Sequence, residues 1–175
     1  RQRIPRFAFE YLSGGCNSEV NLRANTARIR DVRLQPYYLR GTGEVSRKTT
    51  LFGHEYDAPF GIAPIGLQGL MWPRASEMLA RTAFGHSVPY ILSTVGTASI
   101  ETIAEITEGR AWFQLYNPMA DELRADLLRR AHSTGLQTLV VLCDTPSFGY
   151  RSREIRNGLS MPPKMNLRNV AQILA

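Results

Sequence analysis

The feature of this 175-residue sequence that most constrains its fold is a repeated alternation between short apolar runs and amphipathic segments. Four apolar runs have the length and composition of buried strands: 60–66, 90–94, 111–117 and 138–144. Three segments between them carry apolar residues at helical spacing: 74–84, the residues that follow Ser99, and 120–132. Strands and helices that alternate at a spacing of roughly 25 residues predict a parallel sheet with right-handed crossovers.

Both a doubly wound sheet and a (β/α)8 barrel satisfy this alternation, and the strand ends favour the barrel. Each predicted strand finishes in glycine or polar residues: Gly66, Ser93 with Thr94, Gln114 with Tyr116, and Asp144. Such positions predict a ring of functional loops around one face. A complete barrel needs about 250 residues, so four βα units are only part of one. The predicted fold class is α/β, of the TIM barrel family, with an N-terminal lead-in followed by these four units.

The lead-in has a weaker pattern. A short helix is predicted over 5–13, with Phe7, Ala8, Tyr11 and Leu12 on one face. Residues 17–48 are predicted to be helical or irregular, and 49–53 to form a hairpin. We interpret 1–175 as the N-terminal half of a single domain, in which 1–58 is the lead-in and 59–175 holds the first βα units.

Composition excludes several classes. The net charge of +6 comes from arginines that are scattered rather than clustered, so no nucleic-acid partner is expected. Cys16 and Cys143 lack the spacing of a metal site, and Cys143, inside an apolar run, is predicted to be a core residue. No segment approaches the roughly 18 apolar residues of a membrane span. A cytoplasmic location is predicted, and association with the inner face of the cell membrane stays an open alternative.

Four motifs occur in an order and spacing that resemble one enzyme family: RIPRFAFEYLSGG at 3–15, IAPIG at 62–66, QLY at 114–116, and DTP followed by GYR within 144–151. The sequence resembles the FMN-dependent α-hydroxy-acid dehydrogenase/oxidase family, which includes flavin-linked L-lactate dehydrogenases, mandelate dehydrogenases and glycolate oxidases. The resemblance runs from residue 3 to residue 169, so it covers nearly all of the sequence.

The resemblance implies a substrate site for a 2-hydroxy acid that is lactate-like or mandelate-like. Arg151 and Tyr11 match the positions that bind the substrate carboxylate, a role that suits a guanidinium fork and a phenol. Tyr116 matches the tyrosine beside the substrate hydroxyl. Asp144 matches the aspartate that orients a histidine base. Tyr116 and Asp144 are thus the predicted catalytic residues.

The same resemblance implies that FMN is bound at the carboxyl ends of the strands. Ser93 and Gln114 match side chains that form hydrogen bonds with the isoalloxazine ring. The backbone of Ala63, Pro64, Ile65 and Gly66 is expected to lie along the N5 side of the ring. No metal site is expected.

Three departures from the family pattern favour a dehydrogenase over an oxygen-using oxidase. Leu142 stands where the family often has a flavin-contacting threonine, and Val95 where several oxidases have tryptophan. Gly66 stands where oxidases tend to have alanine. Together with the sequence LMWP at 70–73, these residues predict electron transfer to a quinone or another carrier. The full-length protein is expected to form a homo-oligomer.

The family's catalytic histidine and first carboxylate-binding arginine lie after a sixth strand. His54, His86 and His132 match no catalytic position and are predicted to be surface or capping residues. Because that histidine and that arginine are not in this sequence, we expect the 175 residues to be inactive on their own. The sequence also lacks an initiating methionine, so we expect it to be trimmed at the front. Two other interpretations stay open: a non-catalytic half-barrel module for binding or assembly, and a phosphate-binding TIM barrel with different chemistry.

Overall fold

The computed structural model describes residues 4–41, 43–144, 149–156, 167 and 170. Two compact units make up the chain. The first comprises Arg1–Glu44 and Pro146–Ala175, and the second is Val45–Thr145. The motif residues Arg3, Thr145 and Pro146 lie outside the described residues. The boundary between residues 58 and 59 stays a prediction, although the hairpin assigned to the lead-in belongs to the second unit.

The first unit holds three helices: α1 at Arg6–Ser13, α2 at Val20–Asp31 and a short α6 at Ser152–Arg156. Helix α1 starts directly after Pro5, whose fixed φ suits a helix start. Phe7 and Ala8 are buried. Leu12, which the pattern placed on the same face, is 62% exposed. The buried face of α1 instead includes Glu10, whose carboxylate pairs with Arg153 of α6.

The predicted hairpin is confirmed and lies in the second unit. Strands β1 at Thr49–Leu51 and β2 at His54–Tyr56 pair antiparallel. Phe52 and Gly53 form the turn with φ of 51° and 82°, the backbone that a tight two-residue hairpin requires. The indole N–H of Trp112 donates to the hydroxyl of Tyr56 at 3.1 Å, which joins the hairpin to the parallel sheet.

The core of the second unit is a parallel sheet of β3 at Ile91–Ser93, β4 at Trp112–Leu115 and β5 at Thr138–Val141, in that order. Helices α3 at Ala75–Gly85, α4 at Ile100–Thr107 and α5 at Asp121–Ser133 alternate with the strands. Strands that neighbour each other in space follow chain order without the reversal of a doubly wound sheet. This order agrees with the predicted partial barrel.

The first predicted strand, 60–66, is only an isolated parallel bridge between Ile62 and Tyr90. Ile62 donates its N–H to the carbonyl of Pro89 at 2.8 Å, and Ile91 donates to the carbonyl of Ile62 at 3.1 Å. The pairing stops there because Pro64 and Pro89 lack the N–H that a longer ladder would need. The prolines therefore shorten the predicted first strand to one bridge, and the segment still lies beside β3.

The prediction that β5 is a buried strand is wrong, because Thr138 and Val140 are only half-buried and the other two residues are exposed. Leu139 is 44% exposed and Val141 is 51% exposed. Cys143, predicted to be a core residue, is also exposed. Among the strands that the structure describes, β5 pairs only with β4 and so forms an edge of the sheet. Because Leu139 and Val141 are apolar and exposed, β5 is suited to pack against additional protein.

The apolar core lies between the sheet and its helices. Ile103 of α4, Ala80 of α3, and Leu92 and Phe113 of the sheet are almost fully buried. Ser99 caps α4 as predicted, because its Oγ accepts the N–H of Thr102 at 3.0 Å. In α5, Ala131 is buried, whereas Leu123 near the start of the helix is half exposed.

Of the helices that the structure describes, none combines the length and the apolarity that crossing a bilayer requires.

Replacement of Ile103 by alanine is expected to lower the free energy of unfolding by about 2–5 kcal/mol, because the side chain is fully buried in the core. Ile103→Val is the matched control and should cost about 0.5–1.5 kcal/mol. Urea denaturation of the protein that contains these residues measures both. Equal losses for the two variants would contradict the packing described here.

The ion pair between Glu101 and Arg130 predicts a pH dependence of stability. Arg130 donates two hydrogen bonds to Glu101, at 2.7 and 2.8 Å, and they lower the pKa of Glu101 from 4.5 to about 2. Because the folded pKa is depressed, the stabilisation is fully present above pH 4.5 and is lost as the pH falls toward 2. The stability difference between wild type and Glu101→Gln, about 0.2–1 kcal/mol for an exposed pair, should shrink below pH 4.5. Urea titrations between pH 7 and 3 measure it, and a constant difference would count against the pair.

Candidate functional site

Two predicted flavin-binding residues meet at the carboxyl ends of neighbouring strands. Ser93 of β3 lies opposite Gln114 of β4 in the parallel register, so both side chains are on the same face of the sheet. The hydroxyl of Ser93 donates to Oε1 of Gln114 at 3.0 Å. Both residues are buried, with 4% and 2% of their surface exposed. This hydrogen bond fixes the orientation of the Gln114 amide.

The amide nitrogen of Gln114 is the most informative atom of the site. Nε2 is buried and has no hydrogen-bond partner within the described part of the chain. A buried donor without a partner costs about 1–3 kcal/mol. Since Ser93 occupies the other end of the amide, Nε2 is a preformed donor for an acceptor that the described residues do not supply. A flavin ring, with its carbonyl oxygens and unprotonated ring nitrogens, fits that requirement.

Thr94 links the two strand ends and was assigned no role from the sequence. Its hydroxyl donates to the carbonyl of Gln114 at 2.6 Å and accepts the N–H of Tyr116 at 3.0 Å. Thr94 therefore holds the backbone on both sides of Leu115, and so positions Tyr116, whose side chain is half-buried. The only sequence signal for this role was a second hydroxyl residue beside Ser93 at a strand end.

The segment 63–66 lies beside this pair. Ala63 and Pro64 also line an open concavity with Leu51 and Trp112, and this concavity includes neither Ser93 nor Gln114. Ile65 is exposed and Gly66 is half-buried. The predicted flavin-facing backbone is thus accessible along this segment.

The backbone after Gly66 is held in a strained conformation. Leu67 has a φ of 56°, which is in the left-handed region that disfavours side chains. Its N–H donates to the carbonyl of Val95 at 3.0 Å. The turn that follows is held by Thr97, whose hydroxyl accepts a hydrogen bond from the N–H of Gly69 at 3.2 Å. A Cβ at Gly69 would lie 2.9 Å from the Thr97 methyl group, so the close approach requires glycine.

Asp144 follows β5 at the same edge of the sheet. The ladder continues one step past the strand, since Leu142 donates its N–H to the carbonyl of Leu115 at 3.1 Å. Asp144 comes two residues later, in a bend, and is exposed to solvent. Its role as the residue that orients a base stays a prediction.

The three histidines lie on other elements of the second unit. His54 is in β2, His86 follows α3, and His132 is in the last turn of α5. In a βα unit the helix returns toward the amino ends of the strands. His86 and His132 therefore lie at the opposite edge from Gln114, and both are exposed.

The two predicted carboxylate-binding residues meet in the first unit. The guanidinium carbon of Arg151 is 4.6 Å from the centre of the Tyr11 ring. Nη2 of Arg151 also donates to the carbonyls of Tyr11 at 3.0 Å and Gly14 at 3.4 Å, at the C-terminal end of α1. Helix C-terminal carbonyls lack partners within the helix, so they are natural acceptors for this side chain. The contact brings together residues 140 positions apart.

The structure thus groups the predicted site residues into two sets, one in each unit. Tyr11 and Arg151 form the first set. The second set lies along the carboxyl edge of the sheet: Ala63, Pro64, Ile65, Gly66, Ser93, Gln114, Tyr116 and Asp144. The first set offers donors for a carboxylate, and the second offers a buried amide donor and a nearby phenol.

Comparison of the sequence with known proteins identifies the family. Residues 1–175 match the family of FMN-dependent dehydrogenases. An L-lactate dehydrogenase of Pseudomonas syringae is 36% identical over 162 residues, which are 93% of this chain and 43% of that protein. An L-lactate dehydrogenase of Xanthobacter autotrophicus is 36% identical over 174 residues, or 99% of this chain and 45% of that protein. The chain spans less than half the length of these curated relatives.

Solved structures give the same result for the fold. The crystal structure of a mandelate oxidase superposes with a TM-score of 0.86 at 33% sequence identity. The match covers 97% of this chain and 48% of the oxidase chain. A structure of mandelate oxidase with benzoyl-formic acid matches equally well, with a TM-score of 0.86 over 97% of this chain and 49% of the other.

Replacement of Gln114 by leucine is expected to weaken FMN binding by about three- to ten-fold, since it removes one buried hydrogen bond. Gln137→Leu is the matched control, because Gln137 is exposed in the loop before β5 and should leave the affinity unchanged. Titration of flavin fluorescence against the protein that contains these residues measures both. Equal affinity of the two variants would refute the role of Nε2.

Proposed function

The chain belongs to the FMN-dependent dehydrogenase family, and on that premise we propose that the protein containing it oxidises an L-2-hydroxy acid to the 2-oxo acid. The buried amide nitrogen of Gln114 carries the proposal, because Gln114 matches a flavin-binding position of the family and this nitrogen has no acceptor among the described residues. The names of the relatives, lactate dehydrogenases and a mandelate oxidase, support a lactate-like or mandelate-like substrate.

In this proposal Gln114 and Ser93 act as one unit. Ser93 holds Oε1 and so leaves Nε2 as the donor that would bind the ring, and the 63–66 backbone would lie along the ring as the family pattern implies. FMN, when bound, supplies the oxidant that takes two electrons from the substrate. A preformed donor costs no reorganisation when the ring binds, which favours a fixed ring orientation.

The substrate is held at its carboxylate and its hydroxyl. Arg151 and Tyr11 donate to the carboxylate, which orients the α-carbon. Tyr116 donates to the hydroxyl oxygen and stabilises the negative charge that develops when the hydroxyl proton leaves. That proton goes to a histidine base, which Asp144 orients. The α C–H bond breaks as the C=O bond of the 2-oxo acid forms, and the α-hydrogen with its two electrons would go to the flavin.

His54, His86 and His132 lie in β2, after α3 and at the end of α5, so none suits the role of that base. We therefore propose that these 175 residues bind parts of the cofactor and the substrate but do not turn over alone. A rival function, a non-catalytic assembly module, is favoured by the exposed edge residues Leu139 and Val141. FMN binding by the protein would count against that rival.

We further propose that electrons leave to a quinone or another carrier, as in a dehydrogenase. Support comes from Gly66 and Val95, which lie on the two segments joined by the Leu67 to Val95 hydrogen bond. Gly66 has no side chain, and the valine at 95 is smaller than the tryptophan of several oxidases. Leu142 offers no hydrogen bond to the ring. After anaerobic reduction, the flavin should be reoxidised faster by a soluble quinone than by oxygen. Faster reoxidation by oxygen would indicate an oxidase.

Anaerobic addition of L-lactate or L-mandelate to the FMN-loaded protein should bleach the flavin absorbance, and the D enantiomer should not. Tyr116→Phe is expected to slow the bleaching by about 100-fold, the usual loss for one oxyanion donor. Tyr38→Phe, at an exposed tyrosine of the lead-in, is the control and should leave the rate unchanged. Stopped-flow absorbance measures the rates. Equal rates for the two variants would remove Tyr116 from the mechanism, and bleaching by the isolated 175 residues would overturn their predicted inactivity.

A further inference from the structure

We propose that Glu10, Arg153 and Glu19 form a positioning triad that holds the carboxylate-binding pair, Tyr11 and Arg151, in place. The inference rests on the proposed function, since it concerns the same substrate site. None of the three matches a motif role assigned from the sequence. All three lie in the first unit, together with the pair they are proposed to hold.

Arg153 joins two carboxylates from different parts of the chain. Its Nη2 is 2.5 Å from Oε2 of Glu10 in α1, and its Nη1 donates to Oε1 of Glu19 at 2.7 Å, just before α2. Arg153 itself is in α6. One guanidinium therefore ties three helical segments together. The planar fork of arginine suits this task, and a lysine ammonium could not span both carboxylates in the same way.

The two carboxylates adjoin the two groups that accept hydrogen bonds from Arg151. Glu10 directly precedes Tyr11, whose carbonyl accepts Nη2 of Arg151. Glu19 accepts the N–H of Gly15 at 3.3 Å, and Gly15 directly follows Gly14, whose carbonyl is the second acceptor. The triad therefore fixes both acceptors at the end of α1.

Arg153 also fixes the position of Arg151 from the other side. It lies two residues after Arg151, at the start of α6, so an anchored Arg153 limits the paths that the Arg151 backbone can take. The side chain of Arg151 is then held between the Tyr11 ring and the α1 carbonyls. Loss of Arg153 would release α6 from α1, and the guanidinium of Arg151 would no longer be held against the C-terminal end of α1.

Burial and charge make the triad more than a surface ion pair. Glu10 is 6% exposed, and its only other cation within the described residues is Arg6, at 3.9 Å and largely exposed. A buried carboxylate that loses its partner is strongly unfavourable. The hydrogen bond from Arg153 lowers the pKa of Glu19, and the same bond raises the pKa of Arg153. Both groups therefore stay ionised around neutral pH.

The test compares Arg153→Met and Arg153→Lys with Arg130→Met in the FMN-loaded protein that contains these residues. Arg130 is the matched control, because it makes a similar interhelical bridge to Glu101, is exposed to the same degree, and lies in the second unit. The readouts are the thermal midpoint, kcat and KM for the 2-hydroxy acid, and the Kd of the corresponding 2-oxo acid by calorimetry.

We expect Arg153→Met to raise KM and Kd by ten- to hundred-fold, the scale that a displacement of about 1 Å causes, with a smaller change in kcat. Arg153→Lys should recover only part of the affinity. Arg130→Met should lower the thermal midpoint without changing KM or Kd. A merely structural role would give Arg153→Met the same profile as the control.

If Arg153→Met behaves like Arg130→Met, the positioning role is overturned and the proposed function stays intact. If the unaltered protein binds no 2-oxo acid and shows no flavin bleaching, the proposed function and the triad's role fail together. If it binds and turns over, an unchanged Kd in Arg153→Met removes the triad alone. The two failures are therefore distinguishable.

Discussion

The in-register parallel pairing of β3 with β4 is the constraint on which the rest of the second unit depends. It sets Ser93 opposite Gln114, so that one hydrogen bond orients a buried amide. It also brings Thr94 within reach of the backbone on both sides of Leu115, which places Tyr116. A register slip of one residue would put Ser93 and Gln114 on opposite faces of the sheet. The hydrogen bond that orients the amide would then be lost.

The first unit solves a different problem, because its functional residues are far apart in the sequence. Arg151 reaches the C-terminal carbonyls of α1 and the face of Tyr11, and Arg153 ties the same elements through Glu10 and Glu19. Short helices such as α1 and α6 have little stability of their own. Charge-assisted contacts between them supply the order that helix propensity cannot.

Much of the fold could be predicted from the sequence, because period and capping are local signals. The helix after Ser99, the hairpin at 49–53 and the three paired strands all lie where the pattern indicated. The misses have physical causes that the pattern does not carry. Prolines reduce 60–66 to a bridge, and an edge position exposes Leu139, Val141 and Cys143. The roles of Thr94, Glu10 and Arg153 depend on side chains that meet only in the folded chain.

The proposed function depends above all on the Gln114 amide nitrogen as a preformed donor for a flavin ring. A crystal structure of the FMN-bound protein that contains these residues tests this role most directly. We expect Nε2 of Gln114 within about 2.7–3.2 Å of a ring oxygen or nitrogen, with Ser93 still donating to Oε1. A ring bound elsewhere, or a Gln114 amide that contacts only the protein, would contradict it.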